Sequence, residues 1–466
     1  MSKIYVFGIG GTGSRVMRAL TMLLASGVEC KADTIVPIII DPDAAGGDVE
    51  RTATLMRHYI EVRNNFQFSA EYENRFLRTE IREIMTNFNL PLRNIQDCLF
   101  DEYINVTGMT KNNRALAEIL FSRKNLNADM QVGFKGNPNI GSVVLNQFEE
   151  SDEFLNFANE FTADDKIFII SSIFGGTGAS GFPLLLKTLR NSNSIANFNL
   201  VNNAHIGAVT VLPYFKVRQD SDSQIDSATF VSKAKSALSY YDRCINNDID
   251  NLYYVGDDTR ATTYENHEGG TEQKNNAHFV EMVAALSLID FANSDRPGST
   301  VFKEYGIEED SNEIIFKILG PRSKALLDKP MTQFMLFAKY MDERSGFFAQ
   351  PWAKDRGMDR SFFDGAFSSN LKRNILDEYR QWIVEVSKQD RAFTPFHIHR
   401  DSGKLFDLVK GVSPKRVASF DSNFALFDNR LNATGGSSKT GHKEQQLVEL
   451  FYQATQKLVK EKFNIA

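Results

Sequence analysis

Cysteine is scarce in this 466-residue sequence. Its three residues, Cys30, Cys98 and Cys244, lie far apart and form no Cys-x-x-Cys pair. That spacing excludes a disulfide framework and a zinc knuckle. It fits a reducing compartment, so a cytoplasmic location is expected. Long apolar runs are also missing, and none approaches the ~18 residues that a membrane-crossing helix needs. No membrane span is expected. The first residues, Met1 to Phe7, run directly into a glycine turn, which reads as a first strand and not as a signal peptide. Nor is there an excess of positive charge. Lys and Arg number 53 against 59 Asp and Glu, giving a net charge of −6. That argues against a broad nucleic-acid or anionic-membrane surface and leaves only a local basic groove open, so no direct nucleic-acid binding is expected. Tryptophan occurs only twice, but phenylalanine occurs 37 times and the apolar share is 42%. That supplies a sizeable core and excludes global disorder.

Glycine, in contrast, is present in clusters. Gly8-Ile-Gly10-Gly11-Thr12-Gly13-Ser14 follows an apolar run at 3–7 and opens an amphipathic stretch from Arg15 to Ser26. Strand, glycine turn and helix form the opening of a nucleotide-binding α/β unit. The missing Cβ atoms let backbone approach a phosphate, and the helix N-terminus offers aligned N–H donors. Phe174-Gly175-Gly176-Thr177-Gly178-Ala179-Ser180-Gly181 repeats this after a later strand, Lys166–Ser171. Two such turns suit a polyphosphate gripped from two sides, with Thr177 and Ser180 adding hydroxyl donors. Between them stands Gly136-Asn137-Pro138-Asn139-Ile140-Gly141, which is turn chemistry. Each segment alone also reads as a tight turn that binds nothing.

Further strands are expected at 35–40, ended by Asp41-Pro42-Asp43, and at 206–212 and 251–255. Pro37 suggests a bulge or an early edge in the first of these. Alternation of strands with helices predicts a mostly parallel sheet covered on both faces. Residues 46–123 read as a helical insertion, including helices at Tyr72–Met85 and Lys111–Phe121. A long helix is expected at Asn276–Ala292 and a boundary at Asp295–Gly298. Beyond it the pattern predicts strands at Glu313–Leu319 and Ser419–Phe427. Helices are expected at Met331–Arg344, Phe367–Lys388 and Glu444–Phe463, with a flexible loop at Leu431–Lys439. The expected organisation is a nucleotide-binding α/β domain over 1–275, a central helix and following loop over 276–298, and an α+β C-terminal domain over 299–466.

In their order these motifs resemble the tubulin/FtsZ superfamily, and within it a divergent prokaryotic tubulin-like protein. Gly8–Ser14 is similar to the first nucleotide loop and Asp41–Ala44 to the second. Gly136–Gly141 is similar to the third loop of the bacterial cell-division branch. Gly175-Gly176-Thr177-Gly178, with Pro183 beyond, resembles the signature fourth loop. Val209–Phe215 resembles the strand and sugar-contacting loop that follow. The resemblance covers about residues 3–295 and implies GTP or GDP with Mg2+. It assigns Gly10, Gly11, Thr12 and Gly13 to the α- and β-phosphates, and Gly136, Asn137 and Gly175–Gly178 to the β- and γ-phosphates. Asp43 goes to the phosphate and magnesium neighbourhood, and Asn276 to the guanine edge. It also implies head-to-tail self-association into filaments, in which an acid after the central helix completes a neighbour's GTPase site. Asp295 is the first choice for that acid and Asp290 the second. An adaptor protein is a further partner of this kind of assembly.

Four departures stand out. Phe174 and Ser180 occupy the outer glycine positions of the fourth loop, and Arg15 stands where a polar residue faces the nucleotide. The insertion is long, and Asp290–Gly298 differs from the family's hydrolytic loop. A non-hydrolysing nucleotide-dependent assembly or switch protein therefore stays open. A dinucleotide-dependent or adenylating enzyme, resting on the first turn alone, stays open too. His397 and His399 alternate as strand neighbours but lack a spaced acidic or Cys partner, so they are read as packing or surface residues. Asp220, Asp222 and Asp226 read as a solvated acidic loop. No metal-ligand set is apparent from spacing. The stripe Leu447, Leu450, Phe451, Ala454, Leu458 and Phe463 reads as a helix docked on its own domain.

Overall fold

Short runs rich in β-branched residues form strands buried on both faces. Thr34–Ile40 and His205–Val211 are such runs, with every residue buried. The computed structural model describes all residues except 1, 44–45, 69–72, 131–132, 135, 219–228, 259–262, 265–269, 271–274, 306–310, 399–401, 414–422, 435–441 and 466. Eleven strands occur among them: β1 Lys3–Ile9, β2 Thr34–Ile40, β3 Glu80–Ile81, β4 Lys166–Ser172, β5 His205–Val211, β6 Lys216–Val217, β7 Asn251–Val255, β8 Thr263–Tyr264, β9 Val301–Tyr305, β10 Glu313–Ile314 and β11 Ala392–Phe393. Seven build one sheet in the order β3-β2-β1-β4-β5-β7-β9, and every pairing in it is parallel. The remaining four form two short parallel ribbons, β6 with β8 and β10 with β11.

Twelve α-helices of seven residues or more accompany these strands among the described residues: α1 Gly10–Ala25, α2 Gly47–Arg63, α3 Lys111–Leu120, α4 Pro138–Val144, α5 Asp152–Glu160, α6 Gly176–Asn191, α7 Phe230–Cys244, α8 Phe279–Ala292, α9 Pro321–Glu343, α10 Glu378–Ser387, α11 Asn423–Thr434 and α12 Lys443–Leu458. Side chains alternate across a strand, which assigns each helix a face. Phe168 of β4 meets Phe291 of α8 on one side. Tyr5 and Phe7 of β1 meet Phe157 of α5 on the other. Helices α1 and α2 share the first face with α8, and α4 and α6 share the second with α5. The result is the expected α/β sheet wound on both faces. Beyond residue 298 the chain still contributes β9 to this sheet and then becomes mainly helical. There Phe337 of α9 stacks on Phe451 of α12, and Phe334 meets Tyr379 of α10 edge-on.

Several local expectations are corrected. Tyr72–Met85 forms no helix among its described residues. It carries β3, with Phe76 and Leu77 buried and Leu77 in the left-handed region at φ +56°. Of the strand expected at Ser419–Phe427, residues 419–422 lie outside the described residues and 423–427 are the start of α11, because Phe424, Phe427 and Leu431 recur at helical and not at strand spacing. Residues 431–434 complete that helix and are no loop. Only Glu313–Ile314 of the expected strand 313–319 pairs, and a 3₁₀ turn follows at Phe316–Ile318. Pro37 makes no bulge. Beyond Ile35 the outer side of β2 has outrun the two-residue β3, so the missing N–H disturbs little.

Candidate functional site

In an open parallel sheet the crevice for ligands lies at the carboxyl ends of neighbouring strands whose connections leave in opposite directions. Here those strands are β1 and β4. The chain leaves β1 toward β2 on one side, and β4 leads on to β5 on the other. Helix α1 starts directly after β1, and α6 starts four residues after β4. Neither helix has a side-chain cap or an acid in its first turn. Two sets of N–H donors and two positive dipole ends therefore meet in one crevice.

The glycines there divide by purpose. Gly10 has φ +74°, a region costly for other residues. A Cβ on Gly13 would lie 2.5 Å from the Gly8 carbonyl carbon, and one on Gly178 would lie 2.6 Å from the Ser172 oxygen. These two glycines serve close helix-on-strand packing. Gly176 faces the third loop, where its Cβ would meet the Asn137 and Gly136 nitrogens at 3.0 and 3.1 Å. Gly11 differs from them all. A Cβ there would meet nothing closer than Arg15 Nη1 at 3.8 Å, so the fold alone does not explain its lack of a side chain.

Thus the structure brings Gly10–Gly13, Gly136–Asn137 and Gly175–Gly178 together; Gly10 lies against Thr177, and Gly176 against Gly136 and Asn137. The departures have structural causes. Phe174 is buried against Tyr214, Phe215 and Phe230. Ser180 donates its hydroxyl to the Gly176 carbonyl at 2.7 Å and sits directly over Gly141. That hydroxyl therefore faces helix packing and not the crevice. Sequence reading missed Lys233 on α7, whose ammonium donates to the Gly136 carbonyl at 2.8 Å. It brings a cation to the third loop. Its signal was slight: one of two lysines, with Lys235, on a helix of mixed charge.

Asp41 and Asp43 close the β2 side. Both are buried, and Asp43 Oδ2 accepts from the Gly270 N–H. Burial pushes the Asp41 carboxyl up to about 7, although the Asp43 N–H donates to it. Arg15 does not reach into the crevice as a free group. It is buried and bonds Glu281 at 2.6 Å, Asp48 at 3.2 Å and the Tyr214 hydroxyl at 2.8 Å. Burial, with Glu281 adding to it, pushes the Asp48 carboxyl up against the pull of Arg15. Asp48 and Glu281 thus share the buried Arg15 guanidinium, and the buried Asp41 and Asp43 add acid on the same side, Asp41 within electrostatic reach of both Asp43 and Asp48. Such a surplus of acid beside an anion cradle suits a ligand that arrives with a cation. Among the described residues, no group of three or more His, Cys, Asp and Glu could hold a metal ion by itself.

Asn276 stands outside α8, not at its head. The helix is capped by His278, whose ring accepts from Val280 N–H while Glu281 accepts from His278 N–H. Asn276 is exposed, with its carbonyl bonded by Tyr264. The neighbouring Asn275 N–H reaches Asp48 on the crevice side. Asp290 and Asp295 lie at the far end of α8. Asp290 is tied to Tyr253, Lys303 and Arg322. Burial raises its pKa, but these partners outweigh that and hold the carboxyl below its ordinary range. Asp295 is exposed just past the helix end. It neighbours Lys166 at the start of β4, at the pole opposite the glycine turns. A separate cleft of about 850 Å3 runs between α8 and α9, lined by Asp257, Asp290, Arg322 and Arg391. It is distinct from the crevice. Asp220, Asp222, Asp226 and His399 lie outside the described residues.

The chain is similar to solved structures of FtsZ and CetZ proteins. A point mutant of FtsZ from M. jannaschii is 16% identical over 62% of this chain and 54% of its own, with a TM-score of 0.29. CetZ2 from Haloferax volcanii, a GTPgS-bound protofilament, is 14% identical over 63% and 58%, with a TM-score of 0.30. CetZ1 from Haloferax volcanii, a GDP-bound monomer, is 13% identical over 63% and 61%, with a TM-score of 0.31. The chain thus spans little more than half the length of these structures. No family model and no curated protein matches it. No helix among the described residues is long and apolar enough to cross a membrane.

Proposed function

We propose that this protein binds GTP and GDP and assembles head to tail, with GTP hydrolysis completed where two copies meet. The observation that carries the reading is the convergence of three glycine-bearing turns at the β1/β4 crevice, with Gly11 open toward it. One turn would serve a dinucleotide; a polyphosphate makes use of all three. On this reading the N–H groups of α1 and α6, the Thr12 and Thr177 hydroxyls and the Lys233 ammonium hold and orient the phosphates. Asn276 meets the guanine edge. Asp43, with Asp41 beside it, would be the side chain nearest a magnesium ion brought in with the phosphates. When bound, that ion neutralises phosphate charge.

The geometry of the acid supports assembly. Helix α8 has 14 residues, so its ends are about 21 Å apart. Glu281 in its first turn touches Arg15 near the crevice, whereas Asp295 follows its last turn. Asp295 therefore cannot reach phosphates bound to its own chain. Stacked copies would bring the Asp295 pole of one against the crevice of the next, where a carboxylate can position the attacking water. A second reading, nucleotide-dependent assembly without turnover, is favoured by one fact: Asp290 is already held by three partners. Turnover per chain measured against protein concentration separates the two. A rise with concentration, lost in Asp295→Ala with nucleotide affinity kept, is expected. A flat, near-zero rate leaves the second reading. Equal affinity for ATP and GTP in direct titration would overturn guanine recognition.

A further inference from the structure

Lys233 reaches the crevice from a third helix. It stands in the first turn of α7, where Phe230 packs against Phe174 at the start of the fourth loop. Its ammonium donates to the Gly136 carbonyl at 2.8 Å. Gly136 is shaped for this contact. Its φ of +74° suits glycine, and a Cβ there would lie 3.2 Å from Lys233 Nζ. Any larger residue at 136 would crowd the ammonium.

The close approaches put the parts of the crevice in order. A Cβ on Gly10 would meet the Thr177 Cβ at 3.4 Å and the Gly178 nitrogen at 3.7 Å, so the first turn borders the start of α6. One on Gly176 would meet the nitrogens of Gly136 and Asn137 at 3.1 and 3.0 Å. Gly136 in turn carries Lys233. The row therefore runs from the first glycine turn, through the start of α6, to the third loop, and ends at the ammonium. Phosphates that begin on α1 reach Lys233 last. Arg15, beside Gly11, is already shared by Asp48 and Glu281. The bond from Lys233 to Gly136 goes to a neutral acceptor. A phosphate oxygen outcompetes such an acceptor, because a hydrogen bond between two ionised groups is about twice as strong.

We propose that Lys233 reads the terminal phosphate and sets a preference for GTP over GDP. The inference rests on the nucleotide-binding reading and gives this ammonium one task within it. With GTP the ammonium leaves the Gly136 carbonyl for an oxygen of the γ-phosphate. With GDP the row is one phosphate shorter, and the ammonium stays on the carbonyl. Lysine suits the exchange, since it is a compact charge on a flexible stem. GDP thus leaves the third loop clipped to α7, and GTP opens the clip.

The test titrates the full-length wild type, Lys233→Met and Lys233→Arg with GTP and with GDP at one magnesium concentration. Methionine keeps the apolar stem, and arginine keeps the charge. Lys233→Met should bind GTP about ten- to a hundredfold more weakly, the worth of one hydrogen bond between charged groups, and GDP within about twofold of wild type. Lys233→Arg should recover most of the preference for GTP. Added salt should weaken GTP binding by wild type more steeply than by Lys233→Met, and GDP binding by both alike. An equal loss of GTP and GDP affinity in Lys233→Met would mean that the lysine only holds the third loop in shape, and would overturn the proposal. So would an unchanged affinity for GTP, or a wild type that binds the two nucleotides equally. Each of these leaves the nucleotide-binding reading intact. A wild type that binds neither nucleotide overturns both together.

Discussion

Glu385 on α10 offers a sharp test of how the nucleotide domain is fixed to the C-terminal helices. Its carboxylate is 3% exposed and accepts from Arg18 of α1 at 2.7 Å, from Arg51 of α2, and from Ala277 N–H at 3.1 Å. Burial alone would raise its pKa. The two guanidinium groups outweigh this and lower it from the ordinary 4.5 to about 2. At ~1.36 kcal/mol per pH unit this is about 3 kcal/mol of folding free energy. The folded value lies below the unfolded one. The stabilisation is therefore complete above about pH 4.5 and is lost as the pH falls toward 2. Glu385→Gln keeps the shape but leaves Arg18 buried against a neutral amide. It should lower stability at pH 7 by about 3 kcal/mol, near the range for breaking a buried pair. At pH 3.5 the wild type has itself lost about 1.4 kcal/mol of this contribution, so the gap between the two proteins should narrow by that amount. Urea midpoints at the two pH values, with equal slopes, measure it. A gap that is the same at pH 7 and pH 3.5 would show that the charge contributes nothing and that Glu385 acts through packing.

The other expectations concern the site and its supports. Gly11→Ala should leave the melting temperature unchanged, since its Cβ meets only Arg15 Nη1 at an ordinary contact distance of 3.8 Å, yet weaken GTP binding by tenfold or more in calorimetric titration. Gly176→Ala should instead lower the melting temperature even without nucleotide, because its Cβ presses on the backbone of 136–137. Asp290→Asn should cost about 1–3 kcal/mol of stability with or without nucleotide, as Lys303 and Arg322 lose their shared anion. Asn276→Ala should reduce the preference for GTP over ATP by about 1–3 kcal/mol in competition binding; an unchanged preference removes Asn276 from the base contact.

The parallel sheet and the three turns were legible because their causes are local. Apolar runs ending in glycine specify strand, turn and helix within a dozen residues, and the switch point follows from chain order alone. The C-terminal region was less legible. Ser419–Phe427 mixes aromatic and small polar residues that suit a strand locally, and only the continuation to Leu431 reveals the helical spacing. Tyr72–Met85 failed for the opposite reason. Its helical periodicity was overridden when Phe76 and Leu77 were drawn into the core formed with α9 and α12, where Phe76 meets Phe334, Phe337 and Tyr452.

The buried charges around the crevice were the part that spacing concealed, although the sequence did contain a clue. Helix α1, expected to be amphipathic, has no solvent face from Thr12 onward: Val16, Met17, Ala19, Leu20, Met22, Leu23 and Leu24 surround Arg15 and Arg18, and all are buried. Two cations on a helix with no side for solvent require buried anions, since an isolated buried guanidinium is too costly. Helix α8 poses the mirror problem, with Glu281 three residues into an almost wholly apolar stretch. Glu281 answers Arg15, with Asp48 sharing the guanidinium, and Glu385 answers Arg18. These partners are separated by 266, 33 and 367 residues, so no local pattern pairs them. The cost of burying each charge alone nonetheless shows that partners are needed. Arg15 and Arg18 stand one turn apart on the helix whose N-terminus faces the crevice. One joins that helix to α8 and the other joins it to α10. A displacement of the first glycine turn would therefore strain both ion networks at once, which makes α1 the rigid link between the phosphate crevice and the C-terminal helices.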